Sequence, residues 1–295
     1  MNSIEFSNLL KERKIIIADG ATGTNLMLRG LERGATAEQW VIEHPDKIED
    51  LHKDFIKAGA EIILTATFGG SEIHLERSGL KEIFSQINRS AVRIAKEAAK
   101  NTQVLVAGSI GPLGQMLKPL GTLEYKDAEI YYSNQATALT SAGADLIVIE
   151  TQFDMNEAKA AINGVKSSSN EALVCSFSFE RGTKTMMGVS PSSFAKEVED
   201  FELSAIGINC GKSLNDNFLA LQELASTTEK PIWFKPNAGL PHLDASGAPT
   251  YNITPNQMAE KVGIWIEIGC RIIGGCCGTT PDHLKVIAEA VKTLR

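Results

Sequence analysis

The sequence predicts an α/β protein, a single (β/α)8 TIM-type barrel spanning residues 1–295. Three observations lead there. Eight short runs rich in Ile, Val and Leu punctuate the chain, segments of helical character lie between them, and no region contains strands alone. Alternation of strand and helix calls for a parallel sheet, and a count of eight favours closing it into a barrel.

In chain order the runs are Lys14–Asp19, Glu61–Thr67, Val104–Ile110, Asp145–Glu150, Leu173–Phe179, Ala205–Asn209, Ile232–Pro236 and Arg271–Gly274. Most are continuously apolar rather than alternating, as strands covered on both faces should be. Between them, Asp127–Ala142 carries apolar residues at helical spacing and Asn156–Lys166 is Ala-rich. Pro191 opens a helix that runs on towards Phe201. Thr254-Pro255 reads as an N-cap followed by proline at the first helical position, and Thr280-Pro281 repeats that signal before a helix to Leu294. An open, doubly wound sheet is the alternative. It calls for a Gly-rich phosphate turn after the first strand, and Asp19-Gly20-Ala21-Thr22-Gly23 lacks the G-x-G-x-x-G spacing. The stretch from Pro236 to Pro255, with Gly239, Pro241, Gly247 and Pro249, follows the seventh strand and should lie over the C-terminal mouth. With no low-complexity segment or linker, one domain is expected.

Composition narrows the function. The formal net charge is -7 and no block of basic residues occurs, which argues against nucleic acid as a partner. Met1-Asn2-Ser3-Ile4-Glu5-Phe6 is a poor signal peptide, and apolar runs such as Leu146 to Ile149 are far too short to span a membrane. A cytoplasmic protein is expected. Its five cysteines are an odd, unevenly spread set, which points to metal binding or catalysis rather than a disulfide framework.

The sharpest signal is Gly274-Gly275-Cys276-Cys277-Gly278-Thr279-Thr280 together with Gly207-Ile208-Asn209-Cys210. These cysteines fall at the C-terminal ends of the sixth and eighth predicted strands, the end of a barrel where active sites form. Neighbouring residues of a strand point to opposite faces, so Cys276 and Cys277 can reach one metal only if the backbone leaves strand geometry. The flanking glycines permit that. Three thiolates leave the fourth tetrahedral position of zinc open, as in catalytic sites. Cys175 and Cys270 stand alone and read as buried small hydrophobes. His283 reads as a structural or solvent-facing residue of the last helix. Asp19 and Glu150 end two strands at the same barrel end; each can cap a helix or pair with an ammonium group. Thr67, Ser109 and Asn209 are candidates for polar lining, and Asn237 for shaping the loop over the mouth. Asp50-Leu51-His52-Lys53-Asp54-Phe55 copies half of the cobalamin-ligating D-x-H-x-x-G pattern but lacks its glycine, and is set aside.

The whole chain resembles the homocysteine S-methyltransferase family. The matching segments are Asp19-Gly20-Ala21-Thr22-Gly23-Thr24, Gly108-Ser109-Ile110-Gly111-Pro112, Glu150-Thr151, Gly207-Ile208-Asn209-Cys210, Pro236-Asn237-Ala238-Gly239-Leu240-Pro241 and Gly274-Gly275-Cys276-Cys277-Gly278. The resemblance implies Zn2+ held by Cys210, Cys276 and Cys277, with the homocysteine sulfur as fourth ligand. It implies that Asp19 and Glu150 hold the substrate amino group and that backbone N–H groups around Gly20 and Ala21 receive its carboxylate. Thr65-Ala66-Thr67-Phe68 departs from the family, which usually has Asn where Ala66 stands.

The resemblance leans towards the homocysteine-binding module of cobalamin-dependent methionine synthase, on Gly108-Ser109-Ile110-Gly111-Pro112-Leu113-Gly114 and Glu150-Thr151-Gln152-Phe153-Asp154. Such enzymes carry further folate- and cobalamin-binding modules, which are not expected in a sequence ending just after the eighth unit. It therefore implies a separate corrinoid protein presenting methylcobalamin as donor. A small donor such as S-methylmethionine or betaine is the second reading, and a zinc- or thiol-binding interaction module without transfer activity is the third. A related thiol or selenol also remains open as acceptor.

Overall fold

The computed structural model describes residues 1–32, 34–243 and 249–294. Among these described residues ten strands are formed: β1 (Ile16–Ile17), β2 (Ile62–Leu64), β3 (Leu105–Ile110), β4 (Leu146–Gln152), β5 (Ala172–Phe177), β6 (Ala205–Cys210), β7 (Ile232–Pro236), β8 (Pro241–Leu243), β9 (Pro249–Tyr251) and β10 (Cys270–Ile273). Eight of them make one sheet, in the order β1-β10-β7-β6-β5-β4-β3-β2, and every pairing is parallel. A bridge between Ala18 and Ile62 joins the two outer strands. The Asp19 amide donates to the Ile62 carbonyl at 2.9 Å and that of Glu61 to Ile17 at 2.7 Å. The sheet is thus a ring, the expected (β/α)8 barrel.

Residues on each strand alternate between the two faces of the ring. Outward-facing side chains, including Ile63, Val106, Ile147, Leu173, Cys175, Ile206, Phe234 and Ile273, pack with the helices in one large apolar cluster. Inward-facing Ile16, Ala18, Ile62, Leu64, Ala107, Leu146, Val148, Ala172, Val174, Ala205, Trp233 and Ile272 form a second. Phe6 and Leu10, from a helix over Ser3–Arg13, join this inner cluster and are 0% and 3% exposed, so the helix closes the N-terminal end. Asn2 starts that helix with a capping box: its side chain accepts from the Glu5 amide, while Glu5 accepts from the Asn2 amide.

The anticipated helices occupy Tyr125–Ser141, Met155–Ser168, Pro191–Glu197, Pro255–Ala259 and Pro281–Leu294. The third stops short of Phe201. Thr254 caps the fourth through its side chain, with Pro255 at the first helical position. The Pro236 to Pro255 stretch contains an antiparallel hairpin, β8 with β9, not foreseen as strands; Gly247 lies outside the described residues. Among the described residues no helix is long and apolar enough to cross a membrane.

Candidate functional site

Period two along the strands places the site. One inward position beyond the apolar layer, Ala107 gives way to Ser109, Val148 to Glu150, Val174 to Ser176 and Trp233 to Lys235, while β6 presents Asn209. All five are at least nine-tenths buried. They form the floor of the C-terminal mouth, and the cysteines stand at its rim.

Cys210 ends β6 with φ 59°, left-handed backbone that disfavours a side chain, and Gly211 follows at φ 84°. This bend is held by Asn217 Nδ2, which donates to the Cys210 carbonyl at 2.6 Å, and by Asn237 Nδ2, which donates to the Gly211 carbonyl at 2.7 Å. After β10 the chain leaves strand geometry, as two adjacent cysteines require. The Cys276 amide donates to the Pro236 carbonyl at 2.9 Å, and the Thr279 amide turns back to the Cys276 carbonyl at 3.0 Å. Gly278 makes the turn at φ 80°, and a Cβ there would lie 2.2 Å from the Tyr251 ring. A Cβ on Gly275 would lie 2.4 Å from Thr279.

The three sulfurs converge. Cys210 Sγ lies 3.0 Å from Cys276 Sγ and 3.9 Å from Cys277 Sγ, and all three lie within 4.8 Å of one another. Zinc–sulfur bonds of about 2.3 Å in tetrahedral geometry set sulfurs about 3.8 Å apart. Hydrogen bonds from Cys210 and Cys276 pull the Cys277 thiol down to about 4, while its bonds to Cys276 and Cys277 and its burial push Cys210 well up. Without a cation the cluster therefore favours one thiolate. Ionising the other two calls for positive charge at their centre, and a soft divalent metal supplies it. The group can hold a metal ion. Cys175 and Cys270 are wholly buried, and burial pushes both thiols up.

Three charged groups stand at the same end of the barrel. Ser109 Oγ donates to Glu150 Oε1 at 2.5 Å. Burial raises the Glu150 carboxyl to about 7, against the pull of Lys235. Asp19, expected to hold an amino group, is already engaged: Oδ1 accepts from Lys235 Nζ at 2.6 Å and Oδ2 from the Leu64 amide at 2.8 Å. Asp19 is 1% exposed and does not line the cavity, whereas Lys235 does. Burial alone would lower Lys235, but Asp19 and Glu150 hold it above its ordinary value. Lys235 was missed in the sequence. Its signal was a lone cation inside the apolar run Ile232-Trp233-Phe234-Lys235-Pro236, in phase with the inward-facing residues.

The remaining candidates divide. The cavity, about 530 Å3, is lined by Gly20, Ala21, Ser109, Glu150, Lys235 and the three cysteines among others. Ala21 donates its amide to the Thr279 carbonyl at 3.1 Å, so that N–H is not available to a substrate carboxylate. Thr67 does not line the cavity. It is wholly buried and donates to the Ser109 carbonyl at 2.7 Å, leaving Thr65 and Ala66 in the wall. Asn209 is also a support: Oδ1 accepts from the Thr151 amide at 2.8 Å and from Ser176 Oγ at 2.6 Å. Its Nδ2 donates to Thr151 Oγ1 at 2.6 Å and approaches Cys276 Sγ at 3.9 Å. These bonds fix Thr151 at φ 61°, beside Glu150. His283 is structural: Nε2 meets the Ile253 carbonyl at 2.9 Å, and Nδ1 meets Thr280 Oγ1 at 2.9 Å. That tie anchors the end of the hairpin segment, from which Tyr251 reaches the cavity.

A family model described as homocysteine S-methyltransferase matches residues 16–291. The chain belongs to that family. Methionine synthases of Mycobacterium leprae and Mycobacterium tuberculosis are each 30% identical, over 95% and 96% of this chain. The chain spans about a quarter of their length, 24% and 25% respectively. The homocysteine methyltransferase MmuM from Escherichia coli, in its metallated form, is 26% identical with a TM-score of 0.82, covering 96% of this chain and 98% of that one. Its oxidized form gives the same score over the full length of both chains.

Proposed function

We propose that residues 1–295 are one homocysteine-binding barrel domain that makes methionine by methylating homocysteine at a zinc site formed by Cys210, Cys276 and Cys277. The convergence of these three sulfurs carries the reading. A free alkyl thiol, with a pKa of about 8.5, is only slightly ionised near neutrality. Bound zinc supplies the Lewis acidity that ionises an incoming thiol, and three thiolate donors leave that sulfur electron-rich. The remaining work belongs to the chain. Glu150, steadied by Ser109, offers a carboxylate to the substrate ammonium. Asn209 holds Thr151 and the Cys276 side of the rim in register. Tyr251 lines the same cavity as the three sulfurs.

The motif resemblance supports a separate methyl-corrinoid protein, presenting methylcobalamin, as donor. The free state of all five cysteines suits a reducing, cytoplasmic setting. Incubation of zinc-loaded protein with homocysteine and each donor class tests both parts. Methionine formed with methylcobalamin or a methyl-corrinoid protein is the expected result. Turnover with S-methylmethionine or betaine alone removes the need for a corrinoid partner. Stoichiometric zinc without transfer from any donor leaves only an interaction module.

A further inference from the structure

We propose that the N-terminal end of the barrel holds a second ligand site, in which Lys11, Lys230 and Arg271 bind a small phosphate monoester. It lies at the far end of the strands from the cysteine rim and goes beyond the methyl-transfer reading.

The site begins with an irregularity in the sheet. Where β10 meets β7, Cys270 pairs with Ile232 and Ile272 with Trp233, so two steps along one strand match one step along the other. Arg271 is the extra residue, and a bulge of this kind turns a side chain out of the ladder. Its Nη2 donates to the Leu10 carbonyl at 3.1 Å, in the helix Ser3–Arg13. Lys230 stands two residues before β7, and its Nζ donates to the Phe201 carbonyl at 3.1 Å. Lys11 is an exposed residue of the same Ser3–Arg13 helix. Three separate elements thus bring three cations to the wall of one cavity of about 390 Å3. Glu229 is the acid among the lining residues, and it is exposed to water. Among the described residues no carboxylate lies in ion-pair range of any of the three cations. On a chain of net charge -7, such a cluster runs against the overall balance. A guanidinium has five N–H donors and an ammonium three, so one carbonyl each leaves most of them open to a ligand. Three cations against one acid suit a dianion, which a phosphate monoester is near neutral pH, and the arginine fork matches phosphate oxygens. Leu10, Ile232 and Ile268 in the same wall offer apolar surface to the organic part of the ester.

The test uses phenyl phosphate, which has both the charge and the apolar body, beside benzoate, which has the body and a single charge. Binding to the full chain is followed by calorimetry in phosphate-free buffer at low salt, with no thiol or methyl donor present. Wild type should bind one phenyl phosphate, about tenfold or more tightly than benzoate. Arg271→Gln should weaken phenyl phosphate by about 10- to 100-fold, the loss of one charge-assisted contact. Because Arg271 also ties down Leu10, Lys11→Gln is measured beside it; this exposed position tolerates the change, and binding should weaken about three- to tenfold. Lys285→Gln removes an exposed lysine outside the cavity and should leave binding unchanged. No saturable binding by wild type overturns the site. So does affinity retained in both Arg271→Gln and Lys11→Gln, which puts the anion elsewhere, or an equal loss in Lys285→Gln, which reduces it to general charge attraction.

Discussion

At its N-terminal end the barrel interior holds Phe6, Leu10, Ile16, Ile62 and Leu146; further along the same ring of strands it holds Ser109, Glu150, Asn209 and Lys235. Both ends are buried, and only one is apolar. The lower end gains from removing hydrocarbon from water and makes no demand on charge. The upper end buries an ion pair and a raised carboxyl, tied by many short hydrogen bonds, which is a poor way to stabilise a fold and a good way to hold a polar ligand. Folding and chemistry are thus divided along the barrel axis, and substitutions at the two ends should fail differently.

The largest effect on function is expected at the rim. Cys276→Ala should lose bound metal and turnover together, while the metal-free variant unfolds at the temperature of metal-free wild type; metal analysis and calorimetry check both. The largest effects on stability should come from each end by opposite routes. Phe6→Ala empties the lower plug and should cost about 3–5 kcal/mol in urea unfolding, with kcat of the folded protein unchanged. Asp19→Asn leaves a buried lysine uncompensated and should cost a similar 3–5 kcal/mol, which Asp19→Asn/Lys235→Met largely restores. If the second change restores nothing, the upper end is held by packing rather than by charge balance.

Smaller effects sharpen the division. Glu150→Gln should keep its metal and raise the KM for homocysteine about 10- to 100-fold. In wild type the Glu150 carboxyl, raised to about 7 by burial, must ionise to receive an ammonium group, so homocysteine binding should weaken as pH falls below about 7. The effect approaches about tenfold per pH unit for one proton, and Glu150→Gln should flatten it. Measuring KM from pH 8 to pH 5.5 in both proteins compares the two slopes.

The eight barrel strands and the cysteine cluster were legible because local pattern determines them: apolar runs, capped helix starts and glycines around paired cysteines. What escaped depended on the third dimension. The helix over Ser3–Arg13 carries its capping signal in Asn2 and Glu5, but its role as a plug needs the ring to be closed. Thr67 and Asn209 lie at the expected strand ends, yet their polar atoms turn into the wall rather than the cavity. Asp19 was visible as a strand-ending acid, whereas its engagement by a residue 216 positions away was not. Lys235 could have been found by counting alternate residues up from Trp233. Continuous apolar strands hide that phase, since both of their faces are covered.

The most direct test is X-ray absorption at the zinc edge of loaded protein, before and after adding homocysteine. Three sulfur ligands rising to four on addition is the predicted result. Fewer than three sulfurs at the start, or no gain with saturating homocysteine, contradicts the account.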